Sequence, residues 1–376
     1  MTNHKITSLS GNEIFCMRLK GYSPSGIAIG NSVKSMGFLR GVRSAFSVMV
    51  GGEVPDATEL ILEGREAAFK RMVDEALKEG AHGVVGVTSD LRSLSGNTEY
   101  LFVGSCVNGN DGSRHFTSAG DAQELYCHMD AGYQPLQHVF GNIAYAVGVV
   151  QGISGIFKTM VRGEIREFSD IFNSTRHHAL ERMVEKARKA KANSVVGVRT
   201  VVLDFNGLHE MCMSGTATHN PALLASYDND PVTSDLTGEE LWAMTSLGYT
   251  PIKLLMSTSV YSLGVIGGFT SMFKSFTKGE IPEMTSLIYE ARENVFDRLN
   301  REAADIGADE VIGIKTYIVE IGGGLLEVVA IGTAIRKLPN MKVETPTLPV
   351  QAIIRDKDTW VSGSGGFDLQ STRAGG

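Results

Sequence analysis

With 376 residues, a formal charge of −7 and 43% hydrophobic residues, the chain has the make-up of a soluble protein of two or three domains. An acidic balance without Lys/Arg clusters excludes a nucleic-acid footprint, which needs basic residues concentrated on one face to displace counterions. Four cysteines, Cys16, Cys106, Cys127 and Cys212, share no CxxC spacing, and the start MTNHKITSLSGNE lacks the charged-then-apolar layout of a secretion signal, so free thiols in a reducing cytoplasm are expected.

Along the chain the first feature is a capping signature, Ser10-x-x-Glu13, and it recurs as Asp121-x-x-Glu124 and Thr237-x-x-Glu240. Each predicts a short helix closed by Gly21, Gly132 or Gly248, where glycine accepts the left-handed conformation. The following Tyr22-x-Pro24, Tyr133-x-Pro135 and Tyr249-x-Pro251 read as strands with proline near the start. A Gly/Ser-rich apolar stretch comes next and is predicted to be a helix ending at Gly52-Glu53, Gly163-Glu164 or Gly279-Glu280.

A clearer amphipathic helix covers about Thr58 to Glu79, with Ile61, Ala68, Phe69, Met72, Val73 and Ala76 on one face, and the other copies repeat the pattern. The β-branched run Val84 to Thr88 is a strand, and a turn near Ser95-Gly96-Asn97 returns the chain along Glu99 to Val107 as an antiparallel hairpin. The expected class is therefore α+β: three tandem repeats of a small domain with a short antiparallel sheet packed against helices, over residues 1–110, 111–222 and 223–340. Polar linkers near 108–118 and 220–234 read as spacers between separable modules, and 341–376 reads as a flexible, solvated tail with Leu348 to Trp360 as a candidate docking segment.

Val139 to Phe157 and Leu254 to Phe273 are uncharged and long enough to cross a bilayer. The matching stretch of the first copy carries Lys34, Arg40 and Arg43, charges that are costly at mid-bilayer, so a buried or intersubunit element is expected ahead of membrane association.

Three recurrent residue types could carry chemistry. Arg65 lies in line with the apolar stripe of its helix, as do Arg176 and Arg292, and a guanidinium on a buried face needs a carboxylate or several carbonyl acceptors. Two acidic series could supply it: Glu53, Glu164 and Glu280, or Glu99, Glu210 and Glu327. An Arg–Glu lock between the helix and its surroundings, within a copy or across a domain or subunit interface, is expected; an anion or ligand site built on the arginine is the alternative. No nucleophile or general base recurs beside them, GxxxxGK[ST], GxSxG and HExxH are absent, and neither catalysis nor a cofactor is expected. Metal donors recur poorly: the position of Cys16 and Cys127 holds Ala243 in the third copy, so the cysteines read as small buried hydrophobes. The weak candidates are in the middle copy, Cys127, His128, His177 and His178, and the adjacent pair His177-His178 points about 100° apart on a helix.

The third copy shows a composite pattern best: Gly279-Glu280, Ala291-Arg292, Glu302-Ala303, Ile306-Gly307-Ala308-Asp309, Val311-Ile312-Gly313-Ile314 and Gly332-Thr333-Ala334. It resembles the YbjQ-like family, which carries a heavy-metal-binding label, over about 60 to 100 residues of each copy. The resemblance implies a small α+β domain of YbjQ- or dodecin-like build that assembles into closed rings, pentamers in single-domain members, with no established enzymatic activity. Three copies do not divide a pentamer. The options are a pseudo-symmetric trimer, half of a six-domain ring within a dimer, or five chains stacking three rings. A non-catalytic homo-oligomer, ring-forming or scaffolding, is the leading expectation, with a metal- or small-ligand-binding protein using pockets between copies as the second.

Overall fold

A computed structural model describes residues 6–35, 52–94, 97–109, 115–146, 163–205, 208–262, 282–322 and 325–349. All three short helices, α1 (Gly11–Leu19), α3 (Ala122–Asp130) and α5 (Gly238–Ser246), carry the complete capping box, in which the N-cap side chain and the N3 glutamate satisfy each other's free N–H groups. Gly21, Gly132 and Gly248 take positive φ after them. The three long helices are α2 (Pro55–Lys78), α4 (Arg166–Lys189) and α6 (Pro282–Asp305).

In each copy a long strand, β1 (Tyr22–Ser35), β6 (Gln134–Ala146) or β11 (Tyr249–Ser262), pairs antiparallel with the return arm of a hairpin. The hairpins are β3 (Gly83–Leu94) with β4 (Asn97–Gly109), β8 (Ser194–Phe205) with β9 (Leu208–His219), and β12 (Glu310–Gly322) with β13 (Leu325–Lys337). The prolines sit at a register shift in all three long strands, where the missing N–H costs no regular ladder bond.

The apolar stretch corrects one expectation. Its leading part, predicted as helix, is strand as far as Ser35, Ala146 and Ser262; the remainder, 36–51, 147–162 and 263–281, lies outside the described residues. In the second and third copies both faces of this strand are buried, so the two-residue alternation that would announce a strand is erased. The same strands account for the start of both bilayer-length runs, and among the described residues no helix is long and apolar enough to cross a membrane.

The linkers are also more than spacers. Four two-residue strands cross between copies: β2 (Gly52–Glu53), β5 (Phe116–Thr117), β7 (Gly163–Glu164) and β10 (Val232–Thr233). The sheet orders are β1-β4-β3-β5, then β10-β8-β9-β6-β2, then β12-β13-β11-β7. Thus β2 and β7 each extend the next copy's sheet, and β5 and β10, leading into the second and third copies, each pair parallel with the preceding copy's hairpin. The glycine of the Val-Val-Gly-Val motif makes this junction. Gly86 and Gly197, with φ of 64° and 62°, sit where β3 and β8 shift register, and Gly86 N–H then donates to Gly120 of the incoming segment.

Two of the cores follow the same plan and sit between copies. One gathers Ile61, Ala68 and Met72 of α2 with Phe140, Ala144 and Cys212 of the second copy; the next gathers Ala179, Met183 and Ala187 of α4 with Leu254, Met256 and Val260 of the third. Helix α4 crosses β6 of its own copy so closely that a Cβ on Gly141 would lie 2.2 Å from the Ala179 carbonyl oxygen and 2.5 Å from the Met183 nitrogen. Gly141→Ala is therefore expected to lower stability by about 1–3 kcal/mol or more, since helix backbone must move aside. Gly11→Ala, with nothing within 4 Å of its Cβ, should leave the denaturant midpoint essentially unchanged.

Residues 341–349 of the tail correct the expectation of a solvated segment. Asp130 is buried and gathers Lys20 Nζ at 2.9 Å from the first copy, Trp242 Nε1 at 2.8 Å from the third, and Thr345 Oγ1 at 2.7 Å from the tail, while Glu344 N–H donates to its carbonyl. One carboxylate thereby ties together all three copies and the tail. Residues 350–376, with most of the candidate docking segment, lie outside the described residues.

Candidate functional site

The recurrent arginines find the second acidic series, and they find it in the next copy. Arg65 on α2 donates from Nε to Glu210 Oε1 at 2.9 Å and from Nη2 to Oε2 at 2.7 Å, with Nη1 on Ser89 Oγ at 2.6 Å. Arg176 on α4 grips Glu327 in the same bidentate fork, at 2.9 and 2.6 Å, and Thr258 Oγ1 adds a hydrogen bond to Glu327. Side-chain exposure is 3% and 0% in the first pair and 5% and 1% in the second, so water screens neither. Burial works against the charge on Arg176, but the facing Glu327 carboxylate outweighs it and holds the guanidinium above its ordinary pKa.

A second lock runs in the opposite charge sense. Glu53, carried across by β2, accepts from Arg182 Nη2 at 2.7 Å, and Arg182 also donates to the Asn142 carbonyl. Glu164, carried across by β7, pairs with Arg298, which likewise donates to the Thr258 carbonyl. Thr58 and Ser169 complete each junction by accepting the N–H of Ala144 and Val260 on the next copy's long strand. The sequence reading missed Arg182 and Arg298, although Arg71, Arg182 and Arg298 recur at one position of the three copies and could have been found by the same alignment.

The remaining candidates do not share these partners. Arg292 is exposed, Glu99 is half-buried, accepts from Asn31 Nδ2 at 3.3 Å and stands opposite Arg92 in the β3–β4 register, and Glu280 lies outside the described residues. Among the described residues the joint that buries Arg65 and Arg176 is thus not repeated at Arg292.

The metal-donor candidates stay apart. Cys127 is buried, and burial, reinforced by Glu239, pushes its thiol well above the usual range. His128 is buried with neither ring nitrogen partnered among the described residues, and burial lowers its pKa to about 3. His177 Nδ1 faces the Asn173 carbonyl at 2.8 Å, and His178 is exposed, 3.9 Å from Glu53. Among the described residues no three His, Cys, Asp or Glu side chains gather as a metal site would require.

The family model described as "Putative heavy-metal-binding", YbjQ, matches residues 13–109, 132–220 and 249–337, well over half of the chain. The chain belongs to this family. Among the described residues its thiols and imidazoles stand apart, and no group of them fits the metal of the YbjQ description. Among relatives, the chain is 28% identical over 242 residues to a protein of Mycobacterium tuberculosis named encapsulin nanocompartment protein, covering 62% of this chain and 90% of that one. It is 41% identical over 83 residues to a UPF0145 protein of Thermosipho africanus, covering 22% of this chain and 77% of the relative. A UPF0145 protein of Burkholderia ambifaria is 32% identical over 111 residues, covering 28% and 91% respectively. No solved structure matches the chain.

Proposed function

We propose that this YbjQ-family chain is a non-catalytic subunit of a self-assembling homo-oligomeric scaffold. One observation carries the reading: the arginine and glutamate series that recur along the chain join copies at both inner junctions. Arginine, glutamate, hydroxyl and glycine positions that might have lined a pocket instead form the same joint twice. Such a joint passes from one copy to the next in a single direction, and heterologous contacts of that kind propagate beyond one chain. The relative named for an encapsulin nanocompartment supports an assembling role, since the aligned region covers 90% of its length. Four buried free cysteines suit a reducing compartment, and the cytoplasm is the location we propose.

Native mass spectrometry and light scattering on the full chain test this. A discrete oligomer at micromolar concentration is the expected result. A single 40.5 kDa species at every concentration would overturn the proposal.

A further inference from the structure

At each inner joint the earlier copy supplies a helix face bearing an arginine, and the later copy supplies the outer face of its long strand with a glutamate beside it. The two ends of the chain carry the halves of a third such joint. On the first copy, Ile29 and Val33 are 51% and 49% exposed, whereas their counterparts Phe140 and Ala144 are 3% and 0% exposed and Met256 and Val260 are 1% and 0%. Those inner counterparts are covered by α2 and α4; nothing among the described residues precedes the first copy to cover β1. Glu99 stands opposite Val33 in the register that Glu210 holds opposite Ala144 and Glu327 opposite Val260. Arg71, where Arg182 and Arg298 grip a glutamate of the preceding copy, keeps only its bond to the Asn31 carbonyl among the described residues.

On the third copy the opposite half lies open. Arg292 is exposed on α6, with Tyr289 on the preceding turn 65% exposed. Strand β12 is the sheet edge at the place where β3 and β8 receive β5 and β10, and Ile314, just past its glycine, is 46% exposed. An edge strand, an uncovered apolar face and a cation with no ion-pair partner among the described residues at one end thus match an uncovered strand face and a glutamate that no buried arginine among them meets at the other.

We infer that a second copy of this chain docks head to tail, the third copy of one chain on the first copy of the next, with Arg292 forming the buried bidentate pair with Glu99 of the partner subunit. The occupant follows from continuity: Arg292 and Glu99 hold the repeat positions at which Arg65 meets Glu210 and Arg176 meets Glu327 inside the chain, and their charges are complementary. The inference rests on the self-assembly reading and specifies its contact.

Charge exchange tests it. Arg292→Glu places glutamate against glutamate at every junction between chains, and Glu99→Arg places arginine against arginine. Each variant alone should raise the concentration for half-assembly at least about a hundredfold. Mixed in equal amounts they alternate and opposite charges meet again, so assembly should return, at the wild-type mass where the number of chains is even; the double variant Arg292→Glu/Glu99→Arg should assemble by itself at the wild-type mass. Both sites lie on open faces, so circular dichroism of the dissociated variants should match wild type. If Arg292→Glu assembles like wild type, the joint is wrong while self-assembly stands. If both single variants dissociate and neither the mixture nor the double variant recovers, the pairing is wrong. A wild-type chain that is monomeric throughout would overturn this joint and the scaffold reading together.

Discussion

Arg176→Ala is expected to destabilise the second and third copies by about 3–5 kcal/mol, because Glu327 would be left charged, dry and without its cation. The loss should appear as a lowered urea midpoint of the transition that reports those copies. Arg292→Ala, at an exposed position with no buried partner among the described residues, should lower the stability of the dissociated chain by no more than about 0.5 kcal/mol. The contrast isolates burial, since both arginines occupy one position of the repeat. A further variant separates the pair's own worth from the cost of breaking it. Arg176→Met with Glu327→Leu removes both charges and leaves apolar side chains of similar bulk, and it should recover most of the loss. Equal destabilisation by Arg176→Ala and Arg292→Ala would show that the fork contributes nothing special.

Acid should weaken the middle copy as the pH falls below the usual imidazole range. His128 and His138 are buried, neither has a ring-nitrogen partner among the described residues, and burial lowers both pKa values to about 3. His138 lies among Phe69, Phe102 and Phe140, and Lys186, Arg199 and Arg65 add to the penalty for charging it. A folded pKa below the unfolded value near 6.5 means that the unfolded chain binds the proton first. Stability then falls as pH drops below about 6.5, by roughly 1.4 kcal/mol per pH unit for each ring, and the decline ends near the folded pKa. Asp130, whose burial is outweighed by its hydrogen bonds to Trp242, Lys20 and Thr345, is depressed, so its contribution is lost only at lower pH still. Urea titrations at pH 7 and pH 4.5 would measure the slope. His138→Leu should remove one proton's worth of it and, by deleting an unpartnered buried imidazole, should not destabilise the protein at pH 7. A slope unchanged by that variant would place the acid sensitivity elsewhere.

Much of each copy is legible in the sequence because the signals are local. A capping box closes within four residues, the stripe of α2 repeats every turn, and Ser95-Gly96-Asn97 separates two β-branched runs. The arginines were recognisable as buried for the same reason: Arg65 and Arg176 lie between apolar residues on one helix face. Their partners were not, because Glu99, Glu210 and Glu327 have the same local surroundings, and which arginine meets which glutamate depends on how copies stack. The long strands were misread past their prolines for a tertiary reason too, since β6 and β11 are covered on both faces by helices from two copies.

The sequence by itself determines the number of copies, the order of elements in each and the residues that recur, since these follow from periodicity, capping and glycine placement over a few neighbouring positions. Tertiary structure alone decides that the copies interlock, that Arg65 and Arg176 are each neutralised by the following copy, and that Arg292 and Glu99 are left at the two ends of the chain. The reason is that identical local sequence in three places gives three identical half-joints. Only their arrangement in space shows which halves have met and which remain open.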